Sequence, residues 1–389
     1  MNKNLNYFKN AEIVFQWGAL EYLRKLAGKR AAILTDMRSM GKLGFVDRIS
    51  SFLKDSTVDS KVIASVEREP YLGDIYLGAE SLLEFKPDLI IALGGGSVID
   101  AAKGMWVLYE HPTIDREKIF VPFAIPPLRN KARLVAIPST SGTGSETSCA
   151  AVFIEPNEKT KRLILSREII PDLAILDPEI PMHMPPKITA SSGMDALSHA
   201  LESYVFSLSN DFSEAAALKA IKLIFEYLER AHKNGKDEIA REKMHYAAAL
   251  AGIAINNSGT GLAHAMDHIG PQFGIPHGVA CAILLPYVME FNLGSEMARK
   301  KYAEIARFVG LGGKNDEELS KNLIEEVRRL ILVLNLPNTI KESGVAEEEF
   351  FKSLDMMVRN SSESFSAKLN PKAPTPSEVR ELYLKAFYG

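Results

Sequence analysis

The stretch "DLIIALGGGSVIDAAKG", residues 88–104, divides into two halves of different texture. Up to Leu93 it is an unbroken aliphatic run, short enough for a strand buried on both faces, and after three consecutive glycines it reads as the start of a helix. A strand that passes through a glycine turn into a helix is the unit from which parallel sheets are assembled. Similar runs flank it: "RAAILTD" (30–36), "KVIASV" (61–66) and "RLVAIPSTSGTGS" (133–145), bounded by Gly, Pro or Asp and separated by helical patterns. They predict buried parallel strands with helical crossovers, an α/β Rossmann-like domain.

The texture changes after "PDLAILDPEIPMHMPPKIT" (171–189), where prolines interrupt the chain and long stretches rich in Ala, Leu, Glu and Lys follow. A chain of 389 residues also exceeds what one hydrophobic core serves. Two domains are expected: residues 1–185 as an α/β dinucleotide-binding domain, and residues 186–389 as an all-helical domain.

Composition narrows the partner. The formal net charge is −3 with no Lys/Arg-rich run, so there is no electrostatic footprint for nucleic acid or an anionic membrane. The apolar runs are too short to span a bilayer, and "MNKNLNYFKN" lacks the apolar core of a signal peptide. Cys149 and Cys281 form no CxxC, which argues against a disulfide framework and a cysteine zinc site. A cytoplasmic protein acting on a small molecule is the expectation.

Two loops suit a dinucleotide. In "ALGGGSVIDAAKG" (92–104) glycines allow positive φ and close approach of backbone N–H groups to an anion, and the following helix points its positive end there. The motif is neither GxGxxG nor a P-loop, and a tight structural turn with Asp100 in the first helical turn is its alternative reading. "PSTSGTGSET" (138–147) again follows a strand and crowds hydroxyls around two glycines. Asp36, at the end of "AILTD", is placed to accept from an adenosine 2′-hydroxyl and to repel a 2′-phosphate; a helix N-cap is the alternative.

The helical half concentrates histidine. "SSGMDALSHALESY" (191–204) sets Asp195 and His199 four residues apart, on one helical face, with Ser192 as a candidate cap. "GLAHAMDHIGPQFGIPHG" (261–278) carries His264 and His268 at the same spacing, then His277. Imidazoles with a carboxylate suit a divalent first-row metal, and five candidate donors leave one spare for proton transfer. Packing is the alternative for any one pair. His111, His183, His232 and His245 read as structural or solvated.

Together, "GGGSVIDAAKG", "PSTSGTGSETS", "GMDALSHALESY", "GLAHAMDHIGPQFGIPHGVACAILLPYVMEFN" and "NPKAPTPSEVRELYLKAF" resemble the iron-containing (group III) alcohol dehydrogenases, whose fold is dehydroquinate synthase-like. "YLGAESLLEFKPDLIIALGGGSVIDAAKGMWVLYEHP" is especially similar to the alcohol dehydrogenase half of bifunctional aldehyde/alcohol dehydrogenases. The resemblance implies NAD, or NADP, and one divalent metal, Fe²⁺ or Zn²⁺, in a cleft between the two domains. It implies Asp195, His199, His264 and His277 as metal ligands, with His268 the nearby non-ligand histidine. Gly95, Gly96, Ser97 and Asp100 then serve the cofactor; Ser139, Thr140 and Thr143 line the adenosine; Lys161 lies near the ribose; and Asp36 favours NAD. Departures from the family pattern are Gln16 and Trp17 in "FQWGAL", "EREPYLGD" where PNP is usual, Ser139 for threonine and Val98 for proline.

The implied activity is reversible oxidation of a small primary alcohol to an aldehyde by hydride transfer, with His268 a candidate for proton exchange, in a homodimer or larger homo-oligomer. Glycerol or diol dehydrogenases and lactaldehyde reductases of the same fold are the enzymatic alternatives. A nucleotide-binding sensor is the non-enzymatic one.

Overall fold

The computed structural model describes residues 7–155 and 160–389. They group into two compact units, Lys9–Met184 and Pro185–Gly389, the second taking in Phe8, whose ring centroid lies 5.4 Å from that of Phe212.

The first unit is built on a parallel six-stranded sheet in the order β1-β8-β5-β4-β2-β3. Its strands are β1 (Glu12–Phe15), β2 (Arg30–Thr35), β3 (Asp59–Ser65), β4 (Leu89–Gly94), β5 (Arg133–Pro138) and β8 (Leu173–Leu176). A separate antiparallel pair joins β6 (Ala150–Glu155) to β7 (Thr160–Leu165). Strand period two sends Ala31 and Ile33 of β2 toward α1 (Phe45–Asp55), and Ala32 and Leu34 toward α2 (Leu72–Phe85) and α3 (Gly96–Glu110). Helices therefore cover both faces, and the central strand β4 is buried at every residue.

Two readings need correction here. "KVIASV" belongs to β3, an edge strand with exposed and half-buried positions, because only β2 pairs with it. β1 and β8 carry no readable pattern at four residues each and are not among the predicted strands; "LAIL" fills the sheet between β1 and β5.

Register decides where the loops meet. Thr35 lies opposite Leu93, Gly94 opposite Pro138, and Phe15 opposite Leu176. Asp36, Gly95, Ser139, Asp177 and Gln16 thus all follow strand ends along one carboxyl edge, where open α/β sheets take their ligands.

In the second unit, α4 (Pro186–Val205), α5 (Asp211–Lys233) and α6 (Glu238–Asn257) pack into one apolar cluster. The paired prolines start α4 rather than ending structure, because proline is tolerated in the first turn, where N–H groups have no intrahelical acceptor. Ser192 is therefore inside the helix and not its cap; its Oγ donates to the Ile188 carbonyl at 2.6 Å. From Gly193 to Val205 α4 is buried without interruption, so each polar residue there needs a partner inside the protein. Three further helices follow, α7 (Leu262–Ala265), α8 (Ile269–Phe273) and α9 (His277–Asn292), with more helices to Tyr388. Among the described residues no helix is long and apolar enough to cross a membrane.

Candidate metal centre and nucleotide loops

Asp195 and His199 stand one turn apart on α4, His264 comes from α7, and His277 is the first residue of α9. Their approach depends on Gly278: a Cβ there would lie 2.1 Å from the Ser191 carbonyl oxygen, so only glycine lets the start of α9 abut α4. Three Nε2 atoms face one carboxylate oxygen, Asp195 Oδ1, at 3.9 Å from His199, 3.7 Å from His264 and 3.3 Å from His277. The four donor atoms lie within 4.8 Å of one another.

Asp195 Oδ1 and His264 Nε2 are buried and make no hydrogen bond, an expensive condition for atoms shut away from water. A cation would supply the missing partner for both, and the donor set, three imidazoles with one carboxylate, has the chemistry that suits Fe²⁺ or Zn²⁺. The residues present fit the group.

Two carboxylates orient the imidazoles from behind. His264 Nδ1 bonds Glu202 Oε2 and His277 Nδ1 bonds Asp267 Oδ2, leaving each Nε2 directed at Asp195. Carboxylate partners of this kind hold the proton on Nδ1 and raise the basicity of Nε2. Glu202 Oε1 also accepts from the Ala263 amide at 2.6 Å, tying α7 to α4. Burial opposes charge on Asp195, but His199 and His277 beside it hold its carboxyl well below the ordinary range. Burial likewise opposes protonation of His264, yet Cys281, Glu202 and Asp195 keep its pKa well above the ordinary imidazole value. Neither Glu202 nor Asp267 was anticipated, although Glu202 follows His199 by three residues on the same helical face.

His268 is not among the four. The helix breaks between Ala265 and Ile269, so the four-residue spacing from His264 does not put the two on one face; His268 becomes the half-buried N-cap of α8. Of the remaining histidines, His111 Nε2 contacts the Pro127 carbonyl, His232 Nδ1 contacts the Pro186 carbonyl, and His183 lies edge-on to Phe45. His245 is buried, which pushes its pKa down to about 3.

On the first unit the two loops are in contact. The Gly94–Gly96 turn does not use positive φ, contrary to expectation; what glycine provides is proximity. A Cβ on Gly95 would lie 3.3 Å from Thr140 Cγ2, and one on Gly96 would lie 2.7 Å from Thr143 Cγ2. α3 begins at this turn with no side-chain cap. Gly95, Gly96, Ser97, Ser139, Thr140 and Thr143 are half-buried, whereas Ser141 and Ser145 turn inward.

Asp100 also turns toward the protein: Oδ1 accepts from Ser145 Oγ and Oδ2 accepts from the Val152 amide at 2.8 Å. Lys103, one turn on and wholly buried, donates to Ser145 Oγ at 3.1 Å, the Ser148 carbonyl at 2.9 Å, Ser148 Oγ at 3.2 Å and the Ala150 carbonyl at 2.7 Å. Burial lowers the Lys103 pKa and raises that of neighbouring Glu146 to about 7. Asp36 caps the turn after β2, its Oδ1 accepting from the Arg38 amide at 2.9 Å and the Ser39 amide at 3.2 Å. Lys161 sits on β7 opposite Ile154, which bridges to Tyr71 at the start of α2.

Residues 10–178 match the family described as iron-containing alcohol dehydrogenase, and residues 189–387 match the Fe-containing alcohol dehydrogenase family, C-terminal. The chain is 41% identical over 379 residues to the NADPH-dependent butanol dehydrogenase of Clostridium saccharobutylicum, covering 97% of each. It is 38% identical over 386 residues to the bifunctional aldehyde-alcohol dehydrogenase of Escherichia coli, covering 93% of this chain but only 43% of that relative. The solved iron-containing alcohol dehydrogenase of Thermococcus thioreducens superposes with a TM-score of 0.91 at 39% identity, over 99% of this chain and 100% of the other.

Proposed function

Because this chain belongs to the iron-containing alcohol dehydrogenase family, we propose that it interconverts small primary alcohols and aldehydes, using NAD(P) and one divalent cation held by Asp195, His199, His264 and His277. The observation that carries this reading is the pair of buried atoms without hydrogen bonds, Asp195 Oδ1 and His264 Nε2, facing each other within a four-donor cluster. When bound, the cation supplies Lewis acidity toward a substrate oxygen, and NAD(P) supplies the hydride acceptor or donor.

The chain's own residues bind and orient. Glu202 and Asp267 keep the protons of His264 and His277 on Nδ1, so that both Nε2 lone pairs are available for coordination. Gly95, Gly96 and Ser97 bring backbone N–H groups and a helix N-terminus to a diphosphate, and Ser139, Thr140 and Thr143 offer hydroxyls to the rest of the nucleotide. Lys161 is assigned to the same cofactor. Asp100 acts on it indirectly, through Ser145. A carboxylate at Asp36 favours NAD, while the Clostridium relative is named for NADPH, so the two cofactors are compared directly. His268 is assigned to proton exchange with solvent.

The test is aldehyde reduction by a panel of short aldehydes with NADH and with NADPH, on metal-free protein and on protein reloaded with Fe²⁺ or Zn²⁺ without oxygen. Reloading restores turnover, and His264→Ala removes bound metal and turnover together. Full activity in metal-free protein, or metal retained by His264→Ala, refutes the assignment. Cofactor binding without consumption under every condition identifies a sensor instead.

A further inference from the structure

Lys103 is a wholly buried amine that takes no part in the chemistry above, and it lies on α3, the helix that begins at the glycine turn. An ammonium in the interior is stable only when its donors are matched, and those of Lys103 reach Ser145 Oγ, Ser148 Oγ and the carbonyls of Ser148 and Ala150. All of these acceptors belong to one continuous stretch, the end of the hydroxyl-rich loop and the start of β6. Asp100, three residues earlier on the same helix, grips that stretch through Ser145 Oγ and the Val152 amide. Ser145 is the junction, donating to Asp100 and accepting from Lys103.

We propose that Lys103 is a positioning residue of the dinucleotide site, clamping the loop at 139–148 to α3 and so setting the separation between the glycine turn and the hydroxyls that face it. The separation is already at contact: Thr140 and Thr143 lie where a Cβ on Gly95 or Gly96 would intrude. Loops packed this closely present their backbone N–H groups and hydroxyls side by side, and a shift of the hydroxyl loop changes the spacing of the groups offered to one nucleotide. The Lys103 ammonium bonds protein acceptors, on this loop and β6, so its proposed effect on the cofactor is indirect. Burial lowers the Lys103 pKa, and Asp100, Cys149 and Glu146 beside it oppose that lowering. This inference rests on the dehydrogenase reading.

The test compares metal-loaded wild-type protein with Lys103→Met, which keeps the side-chain length and removes the donors. NADH affinity is followed by fluorescence titration and by the KM for NADH at saturating aldehyde. The expected result is a rise of roughly tenfold or more in both Kd and KM, from the loss of several charge-assisted hydrogen bonds. kcat stays within about threefold, the signature of lost ground-state binding, and bound metal per chain is unchanged. A lysine that only supports the fold would lower Tm and leave the KM for NADH where it was, and that result overturns the proposal. Should Lys103→Met fail to fold, Ser145→Ala removes only the junction hydroxyl. It must weaken NADH in the same sense, and an unchanged Kd overturns the proposal. Wild-type protein that binds neither NADH nor NADPH overturns the dehydrogenase reading itself, a result separable from a variant that binds as well as wild type.

Discussion

Two buried clusters in this protein are assembled from similar groups and end in opposite states. Around Lys103 the ammonium and the Asp100 carboxylate find protein partners at every turn. Around Asp195, three imidazoles and a carboxylate crowd together, yet Asp195 Oδ1 and His264 Nε2 form no hydrogen bond. Both clusters have displaced pKa values, so displacement alone does not separate a structural clamp from a ligand site. What separates them is satisfaction. A buried polar group left without a partner costs about 1–3 kcal/mol, and two such atoms facing each other within one donor cluster are the basis for proposing a cation there.

The contrast can be broken first at the carboxylates behind the imidazoles. Glu202→Gln and Asp267→Asn remove the carboxylate charge that faces the Nδ1 of each proposed ligand, and each is expected to weaken metal affinity by about 10–100-fold. Competition with a chelator of known affinity measures this, and unchanged affinity in both variants would show that the imidazoles are oriented by packing alone. The satisfied cluster gives a second, smaller effect. Burial raises the Glu146 carboxyl from 4.5 to about 7, so the folded protein binds that proton more tightly than the unfolded chain does. Its contribution to stability is full below the unfolded value and is lost as pH rises through the folded one. Urea unfolding should show a loss of about 1–3 kcal/mol between pH 4.5 and 7 that Glu146→Gln abolishes. An identical pH slope in the variant rules the effect out.

The smallest effect lies at Gln16. Among the described residues the other non-glycine positive-φ positions, Thr57, Lys86, Phe123, Arg129 and Asn335, lie at 52–76°, in the left-handed well. Gln16 stands at 151°, a conformation suited to glycine. The turn is held by Asp177, whose Oδ1 accepts from the Gly18 amide at 3.2 Å and whose Oδ2 accepts from Leu20 at 3.0 Å. Gln16→Gly is expected to raise stability by about 1 kcal/mol, read as Tm by calorimetry. A fall in Tm would mean that the glutamine side chain makes contacts worth more than the strain.

The strand–glycine–helix junction at 88–104 was legible because a central strand buried on both faces leaves a continuous aliphatic run, and glycine punctuates its end. β1 and β8 were not, since four residues are too few to show a period and their pairing is purely long-range. Asp195 and His199 were legible through helical spacing. The same spacing does not put His264 and His268 on one face, because the chain leaves the helix after Ala265 and one residue pair carries no information about such a break. Asp100 read as a cofactor contact from its motif, whereas both its oxygens turn to the protein.

Residue order alone determined the layout of this protein: an α/β half and a helical half, loops suited to a nucleotide, and a set of nitrogen and oxygen donors suited to a metal. These are properties of local period and local chemistry. Only the tertiary structure decided which donors converge, which carboxylates stand behind them, and which loop residues remain open to a ligand. Those depend on distances between segments remote in sequence, set by strand register and by contacts as close as that of Gly278 with Ser191.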